Sequence, residues 1–172
     1  MPVRNLIFVA FVEPVAAGQV FPRTEWPLHI TLVRFDAATT DGADVAESIA
    51  RLAAPRAEAA LGSPLAVGED AGFGRNGSVP VNLIRPQPDL QRLHEHLVEA
   101  VGTTGGRVLT PAHTLAGYRP HVSHHGSKRL HPGDAVVLDR VALVDMAPDG
   151  DHTIRRVLRL WSRDPEQGQP QG

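Results

Sequence analysis

The sequence predicts an α+β fold: two pseudo-symmetric lobes, each a mostly antiparallel sheet with helices outside, enclosing a central cleft. Three observations predict it. Short apolar runs rich in β-branched residues are separated by close turn signals, which favours antiparallel strands. Only two segments carry helical periodicity, one in each half of the chain. A histidine followed two residues later by a hydroxyl also stands once in each half, as His29-Ile30-Thr31 and His121-Val122-Ser123.

Taken in order, residues 6–12 form an apolar run short enough for a buried strand. A loop with Pro14, Gly18 and Pro22 leads to Trp26 and a strand over 28–35. Asp41 and Asp44 offer N-cap chemistry to a helix whose apolar positions are Val45, Ile49 and Leu52, with Pro55 ending or kinking it. A strand starts at 64–67, and Asn76-Gly77 then signals a hairpin before Val79-Pro80-Val81-Asn82-Leu83-Ile84. The second helix begins near Asp89, runs through Leu90, Leu93, Leu97 and Val101, and stops at Gly102. The segment Gly117 to His125 reads as a short strand, and 135–144 and 153–161 as the last two strands. Residues 1–162 therefore make one bilobal domain, and 163–172, without apolar residues, a disordered tail.

Composition narrows the function. A formal charge of −2 argues against coating nucleic acid by bulk electrostatics, DNA included, but admits a small nucleotide or RNA terminus held by a few local cations. The absence of cysteine excludes disulfides, thiol nucleophiles and cysteine metal sites. Neither a signal-peptide pattern nor a long apolar stretch is present, so a cytoplasmic protein with no membrane partner is expected; oligomeric state stays open.

The His-x-(Ser/Thr) tripeptide is weak evidence alone, since nine histidines make roughly one such match expected by chance. Three occur, and His125-Gly126-Ser127 is set aside because its glycine falls where the strand ends. The other two gain from context: each lies in an aliphatic strand just after a proline, and each in its own half. Side chains at i and i+2 of a strand share a face, so each histidine stands beside its hydroxyl. Two imidazoles titrating near neutrality can serve as base and acid on either side of a phosphorus, while the hydroxyls donate to non-bridging oxygens. The scheme needs no metal or cofactor. The alternative is ordinary strand histidines. A zinc cluster of His121, His124, His125 and His131 is disfavoured, because His124 points away from its neighbours and nothing nearby completes four-coordination.

At this point Pro27-Leu28-His29-Ile30-Thr31-Leu32 and Tyr118-Arg119-Pro120-His121-Val122-Ser123 resemble the two signature strands of the two-histidine (2H) phosphoesterase superfamily, in its 2′-5′ RNA ligase-like and cyclic phosphodiesterase branch. Gly72-Phe73-Gly74, Val79-Pro80-Val81 and Leu93-His94-Glu95-His96-Leu97 fall in the same order and spacing. The resemblance implies a bilobal α+β sandwich that opens a 2′,3′-cyclic phosphate to a 2′-phosphate without metal. His29 and His121 would be the catalytic pair, and Thr31 and Ser123 the phosphate-binding hydroxyls. The first assignment has His121 activating water and His29 protonating the leaving oxygen, with the reverse open. Ser123 stands where the family usually has Thr, and His124 where it has an aliphatic residue.

Further candidates for substrate contact are Tyr118, Arg119, His125, Trp26 and Phe73, with Lys128 and Arg129 as rim cations. Core packing competes for Trp26 and Phe73, and an ordinary surface charge for Arg119. His94 and His96 read as packing or solvent-facing residues. Arg34, five positions after His29, is expected on the opposite face. Rival functions are hydrolysis of cyclic oligonucleotides, reversible 2′-5′ RNA ligation, or a binding module for nucleotides or RNA ends without turnover.

Overall fold

The structure, a computed structural model, describes residues 3–38, 45–109 and 111–163. Its first strand, β1 (Val3–Phe11), is apolar throughout its second half because both of its faces are buried. Leu6, Phe8 and Ala10 enter the larger core on the helix side, and Ile7, Val9 and Phe11 enter a smaller core on the other side. That alternation follows from the period of two along a strand.

The other elements are β2 (Val20–Pro22), β3 (His29–Ala38), α1 (Val45–Ala60), β4 (Pro64–Phe73), β5 (Val79–Ile84), α2 (Pro88–Thr103), β6 (Arg107–Val108), β7 (His121–Ser123), β8 (Ala135–Val137), β9 (Arg140–Asp145) and β10 (Ile154–Ser162). They form one ten-stranded sheet in the order β2-β10-β9-β1-β3-β7-β5-β4-β8, with β6 paired to β3. Every pairing among the described residues is antiparallel. The two expected sheets are thus two half-sheets, joined at β3 and β7 by a single pair, Ile30 with Val122. Both helices pack on the side away from the histidines: Ile49, Leu90, Leu93 and Leu97 share one core with Ile30 and Val122. Among the described residues no helix is long and apolar enough to cross a membrane.

Several boundaries differ from the sequence reading. Pro55 lies inside α1 without ending it. The carbonyl it deprives of a partner belongs to Arg51 one turn back; both residues are exposed, so water can take up the lost bond. Leu52 is also exposed, and the buried face is built from Ala46, Ile49, Ala50, Ala53, Ala57 and Ala60. Asp41 and Asp44, expected as caps, lie outside the described residues. α2 passes through Gly102 and stops at Thr103, with Gly105 at φ 78 supplying the left-handed turn. The strand expected over 135–144 is two strands: β8 pairs with β4, and β9 pairs with β1 and β10. Leu138, fully buried, marks the crossing between half-sheets, where its N–H donates to the Ser63 carbonyl (2.9 Å). Arg163, expected in the tail, is tied to Asp139 by an ion pair of 3.1 Å; 164–172 lie outside the described residues.

β3 carries the feature that matters most for the site. Its register against β1 jumps between Phe8, opposite Val33, and Val9, opposite Thr31, so Leu32 is an extra residue in a β-bulge. Leu32 and Val33 both turn into the helix-side core. Alternation resumes with Arg34 opposite Ile7, which belongs to the other face. Arg34 therefore shares the face of His29 and Thr31, contrary to the expectation from an unbroken strand.

Candidate active site

The single pair between Ile30 and Val122 fixes the geometry of the site. In an antiparallel ladder it sets His29 opposite Ser123 and Thr31 opposite His121, all four on the face away from the buried Ile30 and Val122 side chains. Directly opposed β-carbons lie about 5 Å apart and diagonal ones about 7–8 Å. The two histidines take one diagonal and the two hydroxyls the other. A local twofold axis runs through the pair, so the halves of the chain supply equivalent corners.

The ring contacts repeat the symmetry. His29 Nδ1 lies 2.9 Å from the Pro27 carbonyl, and His121 Nδ1 lies 2.8 Å from the Arg119 carbonyl, each two residues back. A carbonyl accepts only, so both Nδ1 atoms carry the proton and both Nε2 atoms present lone pairs. The proline or arginine before each strand thus sets the tautomer through its backbone. Neither the Thr31 nor the Ser123 hydroxyl is engaged by another side chain or backbone group among the described residues, which leaves both available to a ligand.

Burial pushes the His29 imidazole down to about 4; the Pro27 carbonyl opposes this, and the charges of His125, His121 and Lys128 add to it. His121 is also lowered, first by burial and then by Arg119 and His113, against the pull of the Arg119 carbonyl. His29 is packed among the rings of Trp26 (4.4 Å between centroids) and Phe11 (6.0 Å), and stays partly accessible. Its deeper environment separates it from His121.

The other candidates divide clearly. His125 comes within 6.4 Å of His29 and lies on the cleft side. Trp26 is buried, with Phe21 at 5.0 Å on its flank, so it supports His29 from the core. Phe73 sits 4.2 Å from the His121 ring, and the Arg119 guanidinium lies 4.8 Å above it, which places both at the cleft. Tyr118 spends its hydroxyl on the Thr31 carbonyl (2.8 Å) and is a positioning residue. Lys128 stands at the rim beside His29, paired to Glu13 at 2.9 Å, whereas Arg129 turns away to Asp70 (2.8 Å). His124 bonds the buried Asn82 through Nε2 (2.7 Å), which explains how a histidine is accommodated on the face opposite the cleft. No group of three or more His, Cys, Asp or Glu residues suited to a metal ion occurs among the described residues.

Two contributors escape a reading of the sequence, and a third, His94, takes the packing alternative of its two expected roles with hydrogen bonds that the sequence does not announce. His113 acts on His121 electrostatically from a single 3-10 turn (Pro111–His113) with no periodic signal in the sequence. Arg34 stands on the face opposite to the expected one, because nothing local announces the bulge. His94, fully buried on α2, donates from Nδ1 to the Leu32 carbonyl (2.6 Å) and accepts the Leu115 N–H at Nε2 (2.8 Å). Its ring stacks on Tyr118 at 3.9 Å and 4°. The carbonyls of Thr31 and Leu32, displaced by the bulge, are thus held by Tyr118 and His94, which tie the first histidine strand to the approach of the second.

A hollow of about 270 Å³ opens between the half-sheets, bounded by Thr31, Arg34, Phe73, His113, Arg119 and His121 among others. A larger hollow of about 520 Å³ lies behind β5 and the residues before β7, but none of the four corner residues reaches it.

A mostly antiparallel, curled sheet bearing two symmetry-related His-x-(Thr/Ser) strands defines the two-histidine phosphoesterase class. The sequence agrees: it matches the model of the 2′-5′ RNA ligase superfamily over residues 10–164, and the chain belongs to that superfamily. No curated protein matches the chain. Among solved structures, Escherichia coli LigT complexed with ATP is similar over 94% of this chain and 98% of its own, at 15% identity and a TM-score of 0.57. The same protein complexed with NADP+ gives 16% and 0.58 over the same shares. TT0787 of Thermus thermophilus gives 18% and 0.50, over 96% of this chain and 100% of its own.

Proposed function

We propose that this chain is a metal-independent phosphodiesterase that opens a 2′,3′-cyclic phosphate on a nucleotide or RNA end to a 2′-phosphate. The observation that carries the reading is the diagonal arrangement: two imidazoles with Nδ1 capped by carbonyls and Nε2 free, across two unengaged hydroxyls. Such a square accommodates a phosphorus with its attacking and leaving oxygens on the histidine diagonal and its non-bridging oxygens on the hydroxyl diagonal. Membership in the 2′-5′ RNA ligase superfamily supports phosphodiester chemistry, and the ATP, 3′-AMP and NADP+ complexes of LigT support a nucleotide-sized ligand.

The burial order of the two rings favours His29 as base and His121 as acid, the reverse of the roles that the family resemblance suggests. Neutral His29 takes a proton from water as the water oxygen bonds to phosphorus. The P–O3′ bond breaks, and protonated His121 delivers its Nε2 proton to O3′. Water is thereby added across one ester bond, and the phosphate remains on O2′. Thr31 and Ser123 donate to the non-bridging oxygens as charge builds.

The test is a product-resolved assay over nucleoside 2′,3′-cyclic phosphates, cyclic dinucleotides and short RNAs with 2′,3′-cyclic or 5′-hydroxyl ends. Release of nucleoside 2′-phosphate is the expected result. Turnover of cyclic dinucleotides alone, joined RNA as the main product, or tight binding with no product would each replace this reading with a rival.

A further inference from the structure

The Pro27 carbonyl that orients His29 belongs to a peptide unit whose other end is also held: the Leu28 N–H donates to Glu13 Oε2. A trans peptide is planar, so the Leu28 N–H and the Pro27 C=O lie in one plane and point in opposite directions. Fixing the N–H on Glu13 therefore fixes the direction of the carbonyl that receives the His29 Nδ1–H. Hydrogen bonds in series also polarise one another, so a carboxylate on the N–H makes the carbonyl a stronger acceptor. Leu28 itself is buried, and its own carbonyl accepts the Val12 N–H (3.0 Å).

Glu13 is steadied in turn from the other half of the chain. Its Oε2 pairs with Lys128 Nζ at 2.9 Å, and Lys128 donates to the Trp26 carbonyl at 3.3 Å. Lys128 is presented by a tight turn after β7, in which the His125 N–H donates to the Lys128 carbonyl (2.9 Å) and the Lys128 N–H to the His125 carbonyl (3.0 Å). Gly126, at φ 63, takes the first central position of that two-residue loop, where glycine is favoured. The peptide units on both sides of Pro27 are thus gripped, one by Lys128 and one by Glu13.

The second half has no counterpart. His121 Nδ1 bonds the Arg119 carbonyl, but that peptide unit ends on the nitrogen of Pro120, which carries no hydrogen. No carboxylate can address His121 by this route. The local twofold symmetry of the site is broken at the residue before each histidine, Leu28 in one strand and Pro120 in the other.

We propose that Glu13 is a positioning residue for His29, acting through the Pro27–Leu28 peptide, and that this contact singles out His29 as the base. When His29 Nε2 takes the proton from water, the ring becomes positive while Nδ1 keeps its own proton. The carboxylate at the far end of the peptide then offsets that charge without accepting a proton itself. The proposal rests on the reading of the histidine site as a phosphodiesterase.

The experiment compares wild type, Glu13→Ala and Glu13→Gln, each shown to be folded by urea unfolding. Imidazole nitrogen chemical shifts, recorded by NMR without substrate, report the tautomer of each ring, with His121 as the internal reference. His29 is expected in the Nδ1–H form in wild type and as a mixture of tautomers in Glu13→Ala, with His121 unchanged. Glu13→Gln keeps an oxygen for the Leu28 N–H and keeps the tautomer. With adenosine 2′,3′-cyclic phosphate, kcat falls roughly tenfold in Glu13→Ala, the scale of a charge-assisted hydrogen bond, while KM stays within about twofold. Glu13→Gln, which loses only the charge, falls severalfold. A folded Glu13→Ala with an unchanged His29 tautomer or an unchanged kcat overturns the proposal, and so does a wild-type kcat in Glu13→Gln. A rise in KM at constant kcat also overturns it, because Glu13 would then act on substrate binding. If wild type cleaves no cyclic phosphate but the His29 tautomer depends on Glu13, the phosphodiesterase reading fails and the positioning of His29 stands.

Discussion

At the scale of residues, the depressed imidazoles set the pH behaviour. In the proposed mechanism, a base at about 4 and an acid whose pKa also lies below the ordinary histidine value place both limbs of the kcat/KM profile on the acid side of about 6.5. A pH–rate series checks this, and a maximum above pH 7.5 would contradict it. The same shift acts on stability. Between about 6.5 and about 4 the unfolded chain binds a proton that folded His29 refuses. The contribution of His29 is therefore complete above about 6.5 and is lost as pH falls toward 4, so His29→Ala flattens the acid side of a stability-versus-pH curve measured in urea. His94 gives a second test at this scale. Removing it by His94→Ala strands the Leu32 carbonyl and the Leu115 N–H, and the expected loss is about 2–4 kcal/mol in urea unfolding. The four corner residues are legible because strand period and repetition put each histidine beside its hydroxyl. His94 is legible only as a packing or solvent-facing residue, because its two hydrogen bonds depend on α2 docking against a bulge far away in sequence.

At the scale of elements, the β4–β5 hairpin positions Phe73 against His121, and its turn is readable from Asn76-Gly77, which take φ 56 and 65. The hairpin closes so tightly that a β-carbon on Gly72 would stand 2.5 Å from the Gly77 carbonyl oxygen. Gly72→Ala must force the turn open, at a cost of about 1–3 kcal/mol, and displace Phe73. A fall in urea midpoint together with reduced kcat/KM is the expected outcome; a variant matching wild type in both would show that the turn yields freely. β3 illustrates the opposite case. Its existence and apolar positions follow from alternation, but the extra residue at Leu32 has no local signature, since Leu32 and Val33 are apolar in either register. The division of 135–144 is hidden for a similar reason. An apolar run tells that residues are buried, and it does not tell which half-sheet buries them.

At the scale of the whole molecule, two half-sheets meet at one residue pair, and one histidine–hydroxyl pair stands on either side of that seam. The seam is reinforced by Tyr118 reaching the Thr31 carbonyl and by the bond from the Ile84 N–H to the Pro120 carbonyl (2.9 Å), which holds the approach to β7. Neither half carries all four corner residues, so the proposed chemistry requires both halves of the sheet. The chemistry assigned to it uses only imidazoles, hydroxyls and water. Activity is accordingly expected to be unchanged in excess EDTA, and loss there with recovery on adding zinc would move the mechanism to metal chemistry. The central claim is that one histidine from each half acts on the same phosphate. The most direct measurement is single-turnover hydrolysis of a nucleoside 2′,3′-cyclic phosphate by His29→Ala, His121→Ala and the double variant, each shown to be folded. Each single variant is expected to lose at least about 10²-fold, and the double variant to be little slower than the worse single, because the pair works as a unit. A folded single variant turning over at close to the wild-type rate would contradict it.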